Sequence, residues 1–167
     1  MEDLKNLFLE TLNRIKLLSE KPVKFDIFNS FEKKTFLLDG INTSELSKEE
    51  IYNIIQDSYK TIADWYDSVK QEYPNIQFSS LPAGNIDGDN RLDVSIKFKN
   101  QSGKPLNDDR SFSYVINFED DKLHYSILDE IRGKGEYKTN CNKIDKELVM
   151  KEILTTFNQY VNSLRIE

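Results

Sequence analysis

The chain has 167 residues, with 23 basic and 29 acidic side chains and a formal net charge of −6. That length fits one domain, and a chain of this size buries roughly 70% of its unfolded surface without disulfides or a structural metal. Ten Phe and eight Tyr are too many for a disordered acidic segment. We therefore expect a single domain over residues 1–167. The negative charge disfavours nucleic acid as a partner, because phosphate contacts rely on Lys and Arg.

Localisation is constrained by three features of the sequence. No apolar run approaches the ~20 residues that span a bilayer, which predicts no membrane partner. The first residues, Met1-Glu2-Asp3-Leu4, carry acid where a signal peptide has basic residues. The single cysteine, Cys141, excludes an internal disulfide and a multi-cysteine zinc site. Together these features predict a cytoplasmic protein, with secretion by a route that needs no signal peptide as the open alternative.

The first half of the chain contains two predicted helices and a predicted hairpin. Apolar residues recur at three- and four-residue spacing over 2–19, which predicts an amphipathic helix. Apolar and polar residues alternate over 23–27, and a second apolar segment covers 35–38, so we expect a β-hairpin. The clearest helix is predicted over 48–73, where Ser47 and Glu50 have the spacing of a capping box and Pro74 ends the pattern.

The second half is predicted to be mainly strands. Alternating apolar residues predict strands at 76–80, 92–99, 111–118 and 123–128. Residues 129–144 are polar and are interpreted as a connection with a weak strand near Tyr137. Asp145 caps a last helix that extends to about Leu164. The order α-β-β-α-β-β-β-β-α predicts an α+β fold, a single-domain antiparallel sheet with helices packed on one face.

Residues that commonly carry catalysis are scarce in this sequence. The chain has one His and one Cys, so a nucleophile–histidine pair would need His124. His124 occupies an outward position of its predicted strand, which indicates a surface residue or a pH-sensitive contact. The six glycines do not form a phosphate-binding loop. We therefore expect a protein that is not an enzyme.

One acidic loop, residues 85–93, has a spacing that suits calcium. Oxygen-bearing side chains stand at its positions 1, 3, 5 and 9, and alternate residues of a tight loop direct their oxygens inward. The spacing resembles the DxDGDGxxD calcium loop of FG-GAP-type propeller repeats, with Asn85 in place of the first aspartate and Asn90 in place of the second glycine. The resemblance implies Ca²⁺ ligands from the side chains of Asn85, Asp87, Asp89 and Asp93 and from the backbone carbonyl of Arg91. The same residue types also make plain polar turns, so both interpretations stay open.

Chain direction brings further acidic residues towards this loop. In an up-down meander, the turn at Glu119-Asp120-Asp121 lies at the same end of the sheet as Asp87, Asp89 and Asp93. Such a group of carboxylates holds a cation or attracts a basic partner, and the alternative is a dispersed, solvated surface.

The size and charge of the chain are those of a class of small binding proteins. Bacterial immunity proteins and antitoxins are similar in both respects, and class I secretion chaperones are similar acidic α/β proteins. We expect an inhibitor that neutralises a basic toxin, or an escort of a secreted effector, with a calcium-binding module as the alternative. The expected partner-binding residues are Asp87, Asp89, Glu119, Asp120 and Asp121.

Overall fold

The computed structural model describes residues 1–20, 31, 33–41, 46–81, 90–98, 110–119, 122–128, 133–138 and 144–164. Within these ranges lie the helices α1 (Glu2–Glu20), α2 (Lys48–Val69) and α3 (Lys146–Ser163), and a short 3-10 helix, Lys70–Glu72. The strands are β1 (Ile76–Leu81), β2 (Asn90–Ile96), β3 (Arg110–Glu119), β4 (Lys122–Leu128) and β5 (Gly133–Glu136). They form one antiparallel sheet in the order β1-β2-β3-β4-β5. The predicted α+β fold is therefore confirmed.

The helices begin where their capping residues predict. At the start of α2, the Ser47 hydroxyl accepts a hydrogen bond from the Glu50 backbone N–H at 3.1 Å, and the Glu50 carboxylate accepts from the Ser47 N–H at 3.4 Å. At the start of α3, the Asp145 carboxylate accepts from the Leu148 N–H at 2.8 Å. These bonds satisfy backbone donors that have no partner inside the helix. Within the described ranges, no helix combines the length and apolar character needed to cross a membrane.

The core lies between one face of the sheet and the three helices. Alternate residues of the strands face this layer, and Leu92, Val94, Phe112 and Tyr114 are almost fully buried. Aromatic rings pack together in this layer. For example, Phe112 packs against Tyr160 of α3 with ring centroids 4.7 Å apart. Three tyrosine hydroxyls inside this layer donate to backbone carbonyls. Those of Tyr59, Tyr66 and Tyr160 donate to the carbonyls of Tyr114, Ile76 and Ser111.

The predicted strand over 35–38 is wrong. Residues 33–36 have no regular secondary structure and residues 37–40 form a turn. The Leu37 backbone N–H donates to a side-chain oxygen of Glu152 at 2.6 Å instead of to a strand partner. Gly40 has a positive φ of 80°, which favours glycine, and its N–H donates to the Lys138 carbonyl. Leu38 is nonetheless fully buried, so the apolar residues of this segment indicate burial in the core and not a strand. The predicted partner strand, residues 23–27, lies outside the described residues.

The weak strand predicted near Tyr137 corresponds to β5, whose last residue, Glu136, directly precedes Tyr137. β5 pairs with β4, placing Gly135 opposite Tyr125. A Cβ atom at Gly135 would lie 2.6 Å from the Tyr125 hydroxyl, so only glycine allows the two strands to pair there with this ring in place. Tyr137 follows β5 and is 1% exposed.

We predict that Phe8→Ala lowers the free energy of unfolding by about 3–5 kcal/mol, because its ring is fully buried. The Phe8 ring packs against Phe78 of β1 and Trp65 of α2, with centroids 5.6 and 6.2 Å away. Urea unfolding followed by the fluorescence of Trp65, the only tryptophan, measures the change. Leu17→Ala on the same helix is the control, since Leu17 is 63% exposed and should cost less than about 0.5 kcal/mol. Similar losses in the two variants would contradict this packing.

Candidate functional site

The structure describes only part of the acidic end predicted from the sequence. Asn85, Asp87 and Asp89 lie outside the described residues, and so do Asp120 and Asp121. Glu119 is the last residue of β3, and its side chain is also outside the description. Cys141 is likewise not described. The acidic end and the calcium loop therefore stay predictions.

Arg91 and Asp93, the two predicted calcium ligands that the structure describes, belong to β2, which begins at Asn90 rather than at residue 92. The Asp93 carboxylate accepts a hydrogen bond from Ser113 of β3 and one from the Arg91 guanidinium at 3.4 Å. The same guanidinium donates to the Ser113 hydroxyl at 3.1 Å. Asp93 is therefore already paired within the sheet. Among the described residues, no three His, Cys, Asp or Glu side chains are close enough to hold a metal ion.

This Arg91–Asp93–Ser113 group lies on the face of the sheet that points away from the core. Asp93 is paired in register with Ser79 on β1 and Ser113 on β3. The neighbouring side chains are small and polar, and they line a depression of about 270 Å³ that includes Gln77, Ser79, Ser95 and Ser111. His124 is half-buried on the same face, in register with Asn117 and Glu136. The described charged side chains on this face form pairs of opposite sign, Arg91 with Asp93 and Lys122 with Glu136.

The outer side of α2 carries a row of exposed acidic side chains. Six acidic and three basic side chains lie over residues 48–72, a net formal charge of −3. Glu50, Asp57 and Asp64 are spaced by seven residues, or about two helical turns, so they form a line about 21 Å long. We call this line and the adjacent Asp67 the α2 acidic stripe.

Lysines contact three of the four carboxylates in the stripe. Lys146 of α3 lies 2.8 Å from Asp57, Lys60 lies 3.2 Å from Asp64, and Lys70 lies 3.8 Å from Asp67. The three aspartate side chains are 56–67% exposed. Exposed pairs of this kind contribute about 0–1 kcal/mol, so a basic partner could replace these lysines at little cost.

A second group of ionisable side chains is buried in the core around Glu152 of α3. Its carboxylate is fully buried and forms an ion pair with Lys33, whose side chain is 4% exposed. Tyr137 donates to the same carboxylate at 3.1 Å, and the hydroxyls of Tyr114 and Tyr137 lie 2.5 Å apart. The Lys33 ammonium also donates to Thr156 at 2.6 Å. A buried charge needs such partners, and here each is supplied by a different part of the chain.

Burial changes the acidity of this group. Burial lowers the pKa of Lys33, and the nearby Glu152 carboxylate opposes that change. Burial and the Glu152 charge both raise the pKa of Tyr114 well above 10.0, its ordinary value. Burial, Tyr114 and Glu152 raise the pKa of Tyr137 in the same direction. The tyrosines therefore remain neutral hydrogen-bond donors to Glu152 over the physiological pH range.

The sequence reasoning missed this buried group, although one signal for it was present. Glu152 follows Leu148 and Val149 and precedes Thr156 by one turn, so helical spacing puts a charged residue on the apolar face of α3. A carboxylate at such a position requires a buried cation or several donors. Lys33 could not be identified as that cation, because it lies 119 residues away in an irregular segment.

No protein-family model matches this chain, and neither a curated protein nor a solved structure is significantly similar to it. The α2 acidic stripe is accessible to a partner, whereas the Glu152 group is enclosed.

We predict that Tyr137→Phe makes the loss of stability at alkaline pH less steep. Unfolded tyrosine loses its proton near pH 10, whereas the raised pKa keeps folded Tyr137 protonated, so the folded state binds more protons and stability falls as pH rises. Removing this hydroxyl should flatten the slope above pH 10 by up to about 1.4 kcal/mol per pH unit. Urea unfolding of both proteins at pH 7–11 measures how the free energy of unfolding changes with pH. At pH 7–9 the two proteins should differ by a constant amount, and an unchanged slope above pH 10 would contradict the assignment.

Proposed function

We propose that this protein binds a basic protein partner, as an immunity or antitoxin-type inhibitor does when it neutralises a toxin. The observation that carries the proposal is the α2 acidic stripe, since residues 48–72 account for half of the chain's net charge of −6. A line of exposed carboxylates raises the rate at which a positively charged partner associates and favours such partners over acidic ones.

The weak ion pairs of the stripe support this role. A lysine or arginine of a partner would displace Lys60, Lys70 or Lys146, and each displaced lysine would return to water. Because the exposed pairs contribute little to stability, the exchange leaves the fold intact. The Glu152 ion pair differs in this respect, because it is enclosed and holds several segments together.

The α2 acidic stripe and the predicted acidic end are alternative binding surfaces for the partner. Asp57 and Asp64 lie on α2, whereas Asp120 and Asp121 follow Glu119 in the sequence and lie outside the described residues. The two locations can therefore be distinguished by charge reversal at each. An escort of a secreted effector would show the same charge dependence, and the activity of the captured protein distinguishes it from a toxin.

We predict that Asp57→Lys with Asp64→Lys weakens binding of the basic partner at least tenfold, because each reversal replaces an attraction by a repulsion. The partner is captured from a lysate of the source organism, in parallel with Ca²⁺ and with EDTA, and its affinity is measured at two salt concentrations. Glu10→Lys with Glu147→Lys makes the same change in net charge on α1 and α3, and it should alter affinity less than threefold. Higher salt should weaken the wild-type complex more than the Asp57→Lys, Asp64→Lys complex.

Other results would redirect or contradict the proposal. Loss of binding in Asp120→Lys with Asp121→Lys alone would move the interface to the predicted acidic end. Capture only in the presence of Ca²⁺ would favour the calcium-binding alternative at residues 85–93. A captured partner that is acidic, or equal affinity in all variants, would contradict recognition through charge.

A further inference from the structure

The surroundings of the Lys33 ammonium are those of a cation-binding site. Its Nζ contacts the Glu152 carboxylate and lies 2.6 Å from the Thr156 hydroxyl. Three aromatic rings enclose it: Tyr114, Phe36 and Tyr125 have their centroids 5.3, 5.4 and 5.6 Å from Nζ. All three distances fall inside the ~6 Å range in which a cation is attracted to a ring.

The Glu152 carboxylate is held in place by groups other than Lys33. Its Oε2 accepts from the Leu37 backbone N–H at 2.6 Å, and its Oε1 accepts from Tyr137 at 3.1 Å. The Tyr114 hydroxyl lies 3.5 Å from the same Oε1. The two tyrosine hydroxyls come from outside the segment that carries Lys33, so they orient the carboxylate even when no ammonium is bound.

Lys33 enters this site from an irregular segment, residues 33–41, which we call the strap. The strap has further attachments: Thr35 accepts a hydrogen bond from Gln159 of α3, and Asp39 accepts one from the Lys138 N–H at 3.0 Å. Leu38 and Ile41 are buried in the core. The strap has neither helical nor strand hydrogen bonding, so side-chain contacts of this kind determine its position.

We infer that Glu152, with the rings of Phe36, Tyr114 and Tyr125, forms a binding site for a primary alkylammonium ion, which Lys33 occupies from within the same chain and thereby fastens the strap to the core. The carboxylate supplies the charge, Thr156 accepts a second ammonium hydrogen, and the rings exclude water while attracting the cation. A site of this composition selects an ammonium over a neutral group of the same shape.

The test empties the site and offers it a ligand of matched size. Lys33→Ala removes four heavy atoms, three carbons and the ammonium nitrogen, which are the heavy atoms of n-propylammonium. In the full-length variant, n-propylammonium should raise the Tm saturably, by about 3–6 °C at ten times its dissociation constant. n-Propanol has the same shape without the charge, and it should give less than a third of that rise.

Two further proteins make the result specific to this site. Wild-type protein should show no saturable rise, because Lys33 already occupies the site. Lys33→Ala combined with Glu152→Gln should also show none, because the carboxylate is gone. An equal rise with propanol, or the same rise in either of these two proteins, would overturn the inference.

A second measurement applies even if Lys33→Ala does not fold. Lys33→Met keeps the length and apolar stem of the side chain but removes its charge. Hydrogen exchange of the Leu37 and Gly40 amides should then quicken at least tenfold relative to wild type, while the amides of α1 change less than threefold. Unchanged exchange in the strap would show that the ammonium does not fasten it.

Discussion

The structure depends on one constraint: a fully buried carboxylate must be surrounded by groups that compensate its charge. Glu152 meets this requirement with the Lys33 ammonium, the Tyr137 hydroxyl and the Leu37 backbone N–H. Lys33 and Leu37 belong to the strap, Tyr137 directly follows β5, and Glu152 itself lies on α3. A single buried charge therefore connects three separate segments, and loss of Lys33 would leave that charge without its counter-ion.

Around this polar centre, the core is continuous and aromatic. Phe112 of β3 packs between Phe157 and Tyr160 of α3, with centroids 5.8 and 4.7 Å away, and Phe78 of β1 stacks on Tyr66 of α2 at 4.5 Å. These rings make apolar contacts between the sheet and the helices, whereas the Glu152 group supplies directional bonds. The apolar layer stabilises the packing of helices on the sheet, and the polar group determines where the irregular strap lies.

Charge is arranged differently inside and outside the protein. The Lys33–Glu152 pair is enclosed, so separating it would expose an uncompensated charge to a medium of low polarity. The pairs of the α2 acidic stripe are solvated and contribute little to folding, so they are free to be exchanged for those of a partner. This contrast supports placing recognition of a basic partner on α2 and a structural role at Glu152.

The sequence by itself determined the elements whose residues interact locally. The capping residues Ser47 and Asp145 predicted where α2 and α3 begin, and strict alternation predicted β2, β3 and β4 to within two or three residues, because both patterns depend on near neighbours in the chain. Leu38 shows the limit of such patterns: its segment is apolar and buried but forms a turn, since Glu152 takes the Leu37 amide that a strand would have used. The pairing of Lys33 with Glu152 joins residues 119 positions apart, and periodicity carries no information about it. Only the tertiary structure decided that contact, because the fold brings the Lys33 ammonium next to the buried Glu152 carboxylate.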